Sequence, residues 1–182
     1  MNSIINKKPS TEEQDLELKR LTYQLDFLKI EIAAIQDTIW RFVEITQTTK
    51  NWAVAIWAGS IGLLLGQQAN LSKYLIFTAV LPMIFWYVDA HWRHLQRKAS
   101  YREMKIREFI NDERLLKSFK EKKVVDFIVY DPTGRQYSGM PDAEKFSSRL
   151  RTFKYPELLW FYLPMILISV LAEITFIYLP IK

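Results

Sequence analysis

Three long stretches of this chain, residues 51–72, 74–88 and 158–172, contain no Asp, Glu, Lys or Arg. Almost all of its 25 basic and 20 acidic residues are crowded into 1–50 and 91–154 instead. A helix in a water-soluble fold keeps one wet face and so carries charge along its length. Segregation of this kind is what a bilayer demands, because its interior tolerates neither charge nor unpaired backbone groups. The mean hydropathy of −0.06 looks soluble only because it averages two kinds of segment.

The pattern therefore predicts a mainly α membrane protein: three transmembrane helices, a long antiparallel cytosolic helical hairpin and a small β-hairpin insert. In chain order the boundaries are a flexible N-terminus at 1–10, a coiled-coil-like cytosolic helix at 11–50 and transmembrane helix 1 at 51–70. Transmembrane helix 2 follows at 74–92, then a cytosolic helix at 93–123, the β-hairpin at 124–141, an amphipathic helix at 142–154 and transmembrane helix 3 at 157–181. The first two spans fall short of the roughly 20 residues a crossing takes. A snorkelling Lys73 and local thinning of the bilayer supply the difference. Trp52, Trp86, Tyr87, Trp92, Trp160 and Tyr178 lie towards span ends, the level that amphipathic rings prefer.

Orientation follows from the basic residues. Residues 91–154 hold sixteen of them against nine acidic ones, whereas the connector between the first two spans holds Lys73 alone. Such an excess belongs on the cytoplasmic side, which puts the N-terminus inside and the C-terminus outside an inner membrane. Arg93, Arg97, Lys98, Arg149 and Arg151 are assigned to the membrane surface. Because the net charge of +5 comes from this one block, it marks the bilayer as partner and implies no specific nucleic acid.

Leu18, Leu21, Leu25, Leu28, Ile32, Ile35, Ile39 and Phe42 alternate spacings of three and four, a heptad seam. Ser10 with Glu13 reads as a capping box at its start. No Gly or Pro interrupts the run from Ser10 to Gly59, so the helix is expected to continue into the first span. After the second span, Leu95, Ala99, Ile106, Phe109 and Leu116 keep a helical stripe in which Arg102 and Glu113 fill gaps. A turn near residue 70 sets Phe42 opposite position 98 and Leu18 opposite 122. Beside the seam lies a second apolar set that includes Tyr23, Phe27, Ile30 and Trp40. It is buried either by the 124–154 segment folding back or by other copies, and Phe27, Ile30 and Trp40 are the candidates for such a homo-oligomer contact. Ala55, Gly59, Gly62 and Gly66 supply small residues for close span packing. Pro82 and Pro164 can kink their spans.

Residues 124–130 are β-branched and aromatic and run into Asp131-Pro132-Thr133-Gly134, a type I turn signature, with Arg135–Tyr137 as the returning strand. Phe146, Leu150 and Phe153 give the following helix an apolar face that either lies on the membrane or simply links.

Little chemistry is written here. There is no cysteine, hence no disulfide and no thiolate ligand. No phosphate loop, nucleophile elbow, zinc-helix motif or dinucleotide fingerprint occurs, so no enzyme and no cofactor is expected. His91 and His94 stand three apart without a third ligand of comparable quality, so no metal is expected. Asp89 is placed to pair with Arg93 one turn on. Glu173 lies inside the third span, where an ionisable group should face a partner, a cavity or a pore, or snorkel outwards.

The KNWAVAIWAGSIGLLL span and the LPMIFWYVDAHWRHLQRK exit, within 11–123, resemble the bacterial SLATT-type membrane proteins. That resemblance implies a membrane-perturbing effector of nucleotide-sensing, anti-phage systems. Two readings stay open. One is a homo-oligomeric inner-membrane protein that forms or gates a pore in defence or stress, with Glu173 in the pore. The other is a membrane anchor or scaffold that recruits a soluble cytosolic partner.

Overall fold

A computed structural model describes residues 11–66 and 72–178. Helix α1 (Thr11–Gly66) carries the charged heptad run and the uncharged run in one piece. Ser10 and the turn near residue 70 lie outside the described residues. A 3₁₀ helix, Ser72–Ala79, leads into α2 (Val80–Asn111), and Asp112 in extended backbone separates it from α3 (Glu113–Glu121). A loop and a short 3₁₀ turn, Arg135–Tyr137, precede α4 (Pro141–Phe146), α5 (Arg149–Phe153) and α6 (Pro156–Tyr178).

These elements form two compact units. The first joins α1 up to Asp37 with Ala99–Tyr137. Its core takes Leu21, Leu28 and Ile35, one heptad step apart, with Ile106, Phe109 and Val125. Phe109 stacks on Phe127 at 4.5 Å between ring centroids. The second unit joins Thr38–Lys98 with the chain from Ser138 onwards. There Ala53 and Ala90 pack with Leu158, Tyr162 and Met165 of α6. Ser169 and Glu173 continue that buried stripe of α6 in steps of four.

The expectation of three spans is corrected to two. Among the described residues, Tyr74–Asn111 and Pro141–Thr175 are the helical stretches long and apolar enough to cross a membrane. The described part of the uncharged run in α1, residues 51–66, is shorter than a crossing takes and includes Asn51, Ser60 and three glycines. Of the apolar windows in the two candidates, only 33% and 28% is buried within the chain. A core helix of a soluble protein would be mostly covered by its own fold. Here most of the apolar surface needs apolar surroundings from elsewhere, and the protein is membrane-associated.

The β-hairpin is also absent, for no described residue is in a strand. The turn itself forms, with Gly134 N–H donating to Asp131 C=O at 2.9 Å. What fails is the ladder. Asp126 and Tyr130 adopt positive φ of 53° and 67°, which breaks the extended run. The backbone donors a ladder would use go to carboxylates, as described below. The 142–154 helix is likewise split in two at Ser147 and Ser148, giving α4 and α5.

Pro82 is the third residue of α2, which follows directly on the Ser72–Ala79 helix, and the helical stretch Tyr74–Asn111 runs on through it. Pro164 is internal, and α6 runs on through it. In the second unit Phe42 meets Trp92, ring centroids 6.0 Å apart, and not position 98. Part of that offset comes from the 3₁₀ segment, whose rise of about 2.0 Å per residue moves the returning arm further than an α-helix would.

Candidate functional site

The first unit is organised around a buried ion pair. Arg102 Nε donates to Glu31 Oε1 at 2.8 Å and Nη2 to Oε2 at 3.1 Å, with both side chains wholly buried. Nη2 also donates to Ile128 C=O at 2.8 Å, and Nη1 to the Tyr137 hydroxyl at 3.0 Å. Glu31 further accepts the backbone N–H groups of Tyr130 and Asp131 at 2.8 and 3.0 Å. The Asp131 carboxylate takes those of Arg135 and Gln136, each at 3.0 Å. The guanidinium lies 4.7 Å from the Phe127 ring. Burial raises the Tyr137 phenol above its ordinary pKa, while the Arg102 hydrogen bond pulls it part of the way back. This centre fastens the 124–137 loop to α1 and spends its polar atoms doing so. Sequence reading missed it, although a signal was present. Glu31 sits between Leu28 and Ile35 at spacings of three and four, and Arg102 interrupts the stripe of the other arm. Each is a charge on a core position.

In the second unit the polar groups of the apolar helices bond to one another. Trp57 Nε1–H donates to Ser169 Oγ at 2.9 Å, and Thr78 Oγ1 lies 2.9 Å from the same oxygen. Glu173 is buried, and its Oε2 accepts the Ile76 backbone N–H at 3.1 Å. That bond serves the Ser72–Ala79 helix against which α6 packs. The expected pair of Asp89 with Arg93 does not form. Asp89 is fully buried and accepts from the Tyr162 hydroxyl at 3.2 Å, while Arg93 reaches Glu157 at 2.6 Å. The other Asp89 oxygen, Oδ1, has no hydrogen-bond partner among the described residues.

The basic residues divide. Arg97 donates to Phe146 C=O at 2.6 Å and lies between the Phe146 and Tyr155 rings, 4.1 and 5.5 Å from their centroids. Lys98, Arg149 and Arg151 are exposed. His94 Nδ1 hydrogen-bonds Ser147 C=O, whereas His91 packs against the Trp92 ring. The two imidazoles are turned to different partners.

Among the residues expected to join copies, Phe27 is covered from within its unit by Tyr23 and Tyr130, at 4.7 and 6.1 Å between ring centroids. Ile30 and Trp40 are 61% and 68% exposed. Ala55 is exposed, and a Cβ built on Gly59, Gly62 or Gly66 meets nothing within 4 Å. The small-residue stripe therefore packs against no neighbour among the described residues, and Ala53 is the small residue that α1 buries there.

No family model, no curated protein and no solved structure matches this chain. Fold and site define a class only: a helical, membrane-associated protein in two units.

Proposed function

We propose that this chain is a bacterial inner-membrane protein that assembles with copies of itself and holds its charged unit at the cytoplasmic face, where it recruits a soluble partner. The observation that carries this is the contrast between the two kinds of surface. The acids at membrane depth are turned inward, Glu173 to a backbone amide and Asp89 to a phenol. The apolar Ile30 and Trp40, in the charged region of α1, are turned outward and await a partner. The basic excess of 91–154 favours the cytoplasmic face for that block.

The second reading, a pore formed or gated in phage defence or stress, is favoured by the open faces of Gly59, Gly62 and Gly66. They leave room for the close approach of a helix from another copy, and the SLATT-like resemblance points the same way. Mass in detergent together with ion flux in liposomes separates the two. An oligomer that leaves liposomes tight supports the scaffold. A conducting oligomer whose ion preference changes in Glu173→Lys supports the pore. A monomer sinks both.

A further inference from the structure

The foot of α6 carries a surface cavity of about 460 Å³ lined by Leu150, Arg151, Lys154, Tyr155 and Pro156. That is within the range of pockets that take small ligands. Its walls are held from behind. Thr152 is fully buried, Phe153 lies against the rings of Trp86 and Tyr87, and Trp86 Nε1–H donates to Phe153 C=O at 3.2 Å. With those residues fixed inward, α5 turns Arg149, Leu150 and Arg151 outward. Tyr155 is braced by the Arg97 guanidinium. The side chains of Arg151 and Lys154 have no ion-pair or hydrogen-bond partner among the described residues.

Two further facts fix the chemistry of a ligand. The cavity lies where both apolar runs end, since Trp86 is near the close of 74–88 and Pro156 just before the opening of 158–172. An exposed apolar stripe then leaves it along α6: Trp160 at 82% exposure, then Leu163, Leu167 and Leu171, spaced three and four apart. A pair of cations at one end and an apolar track from the other describe an amphiphile with an anionic head.

We propose that this cavity binds the headgroup of an anionic phospholipid, with Arg151 and Lys154 on the phosphate and an acyl chain along the Trp160–Leu171 stripe. The proposal rests on the membrane reading above. Each basic side chain near an anionic lipid surface strengthens binding roughly fivefold, so removing both should weaken it about 30-fold.

The experiment is native mass spectrometry of the full chain in detergent, titrated with dioleoyl phosphatidylglycerol, with dioleoyl phosphatidylcholine, or with inorganic phosphate. The wild type should retain phosphatidylglycerol in clear preference to phosphatidylcholine. The double variant Arg151→Gln with Lys154→Gln should lose that preference at unchanged helicity. Lys117→Gln with Lys120→Gln, which removes the same charge from α3, should keep it. Equal retention by wild type and the cavity variant overturns the site. Displacement of the lipid by millimolar phosphate overturns its assignment to a lipid. Release of the chain from membranes by alkaline carbonate overturns the membrane reading and the proposal with it, whereas a chain that stays but shows no selectivity loses the site alone.

Discussion

Arg102 and Glu31, 71 residues apart in sequence, form a two-pronged ion pair from which water is wholly excluded. Two charges taken out of water cost several kcal/mol each, and the pair stands only because its remaining valences are met by Ile128, Tyr130, Asp131 and Tyr137. The loop that supplies those partners is thereby tied to the pair's survival.

Glu31→Ala should cost roughly 3–5 kcal/mol, because it leaves a guanidinium buried without its counter-ion. Glu31→Leu combined with Arg102→Met removes both charges and should recover most of that loss. Arg102→Lys keeps the charge and loses the fork, and should fall between. Denaturant unfolding in micelles measures the order, and trypsin cleavage at Lys122, Lys123 and Arg135 reports the loop. A single-variant cost below about 1 kcal/mol, or a double variant no better than the single, would show that the pair does not hold the loop.

What the sequence made legible was periodic. The heptad run of α1, its continuity into the uncharged segment, and the apolar character of 74–88 and 158–172 all follow from spacing and charge, and appear as helices. What it hid was pairing at long range. The composition of 124–130 favours a strand, and its turn residues do turn. Yet a strand needs a free ladder, and Glu31 and Asp131 capture the amides of 130, 131, 135 and 136 first. Asp89 was assigned to Arg93 by local spacing, and a tyrosine 73 residues away claims it instead. Local rules cannot see partners brought in by tertiary packing.

Tyr162 and Asp89 allow a test of that substitution of partners. Tyr162→Phe removes one hydrogen bond from a buried carboxyl and should destabilise the chain by about 1 kcal/mol. Asp89→Asn should be neutral or stabilising, because Oδ1 has no partner among the described residues and an amide is cheaper to bury than a carboxylate. Thermal unfolding of both variants in the same micelle decides it. A large loss from Asp89→Asn would mean that the charge itself is used.

Ile30 and Phe27 should separate assembly from folding. Ile30 is exposed, so Ile30→Glu is expected to lower the mass of the detergent-solubilised particle while changing its stability by no more than about 0.5 kcal/mol. Phe27 is packed against Tyr23 and Tyr130, so Phe27→Ala should lower stability by a few kcal/mol. Light scattering and melting curves read the two effects independently. If Ile30→Glu leaves the mass unchanged, the outward stripe of α1 joins no second copy there.

Glu173 tests what a buried acid in an apolar helix is for. Its Oε2 meets the Ile76 amide, so the interaction to be removed is a hydrogen bond to the Ser72–Ala79 helix, with the charge as a separate variable. Glu173→Gln keeps an acceptor oxygen on a side chain of the same reach and should leave stability almost unchanged. Glu173→Leu removes the tie between α6 and the Ser72–Ala79 helix, which costs about 0.5–1.5 kcal/mol, and loosens the end of α6 from the segment it packs against. The order wild type, then Gln, then Leu, with a small first step and a larger second one, identifies a backbone-capping role. If Gln falls as far as Leu, the negative charge is what matters at this position. Glu173 would then return as a candidate for the lining of a pore, to be followed by ion flux rather than by melting.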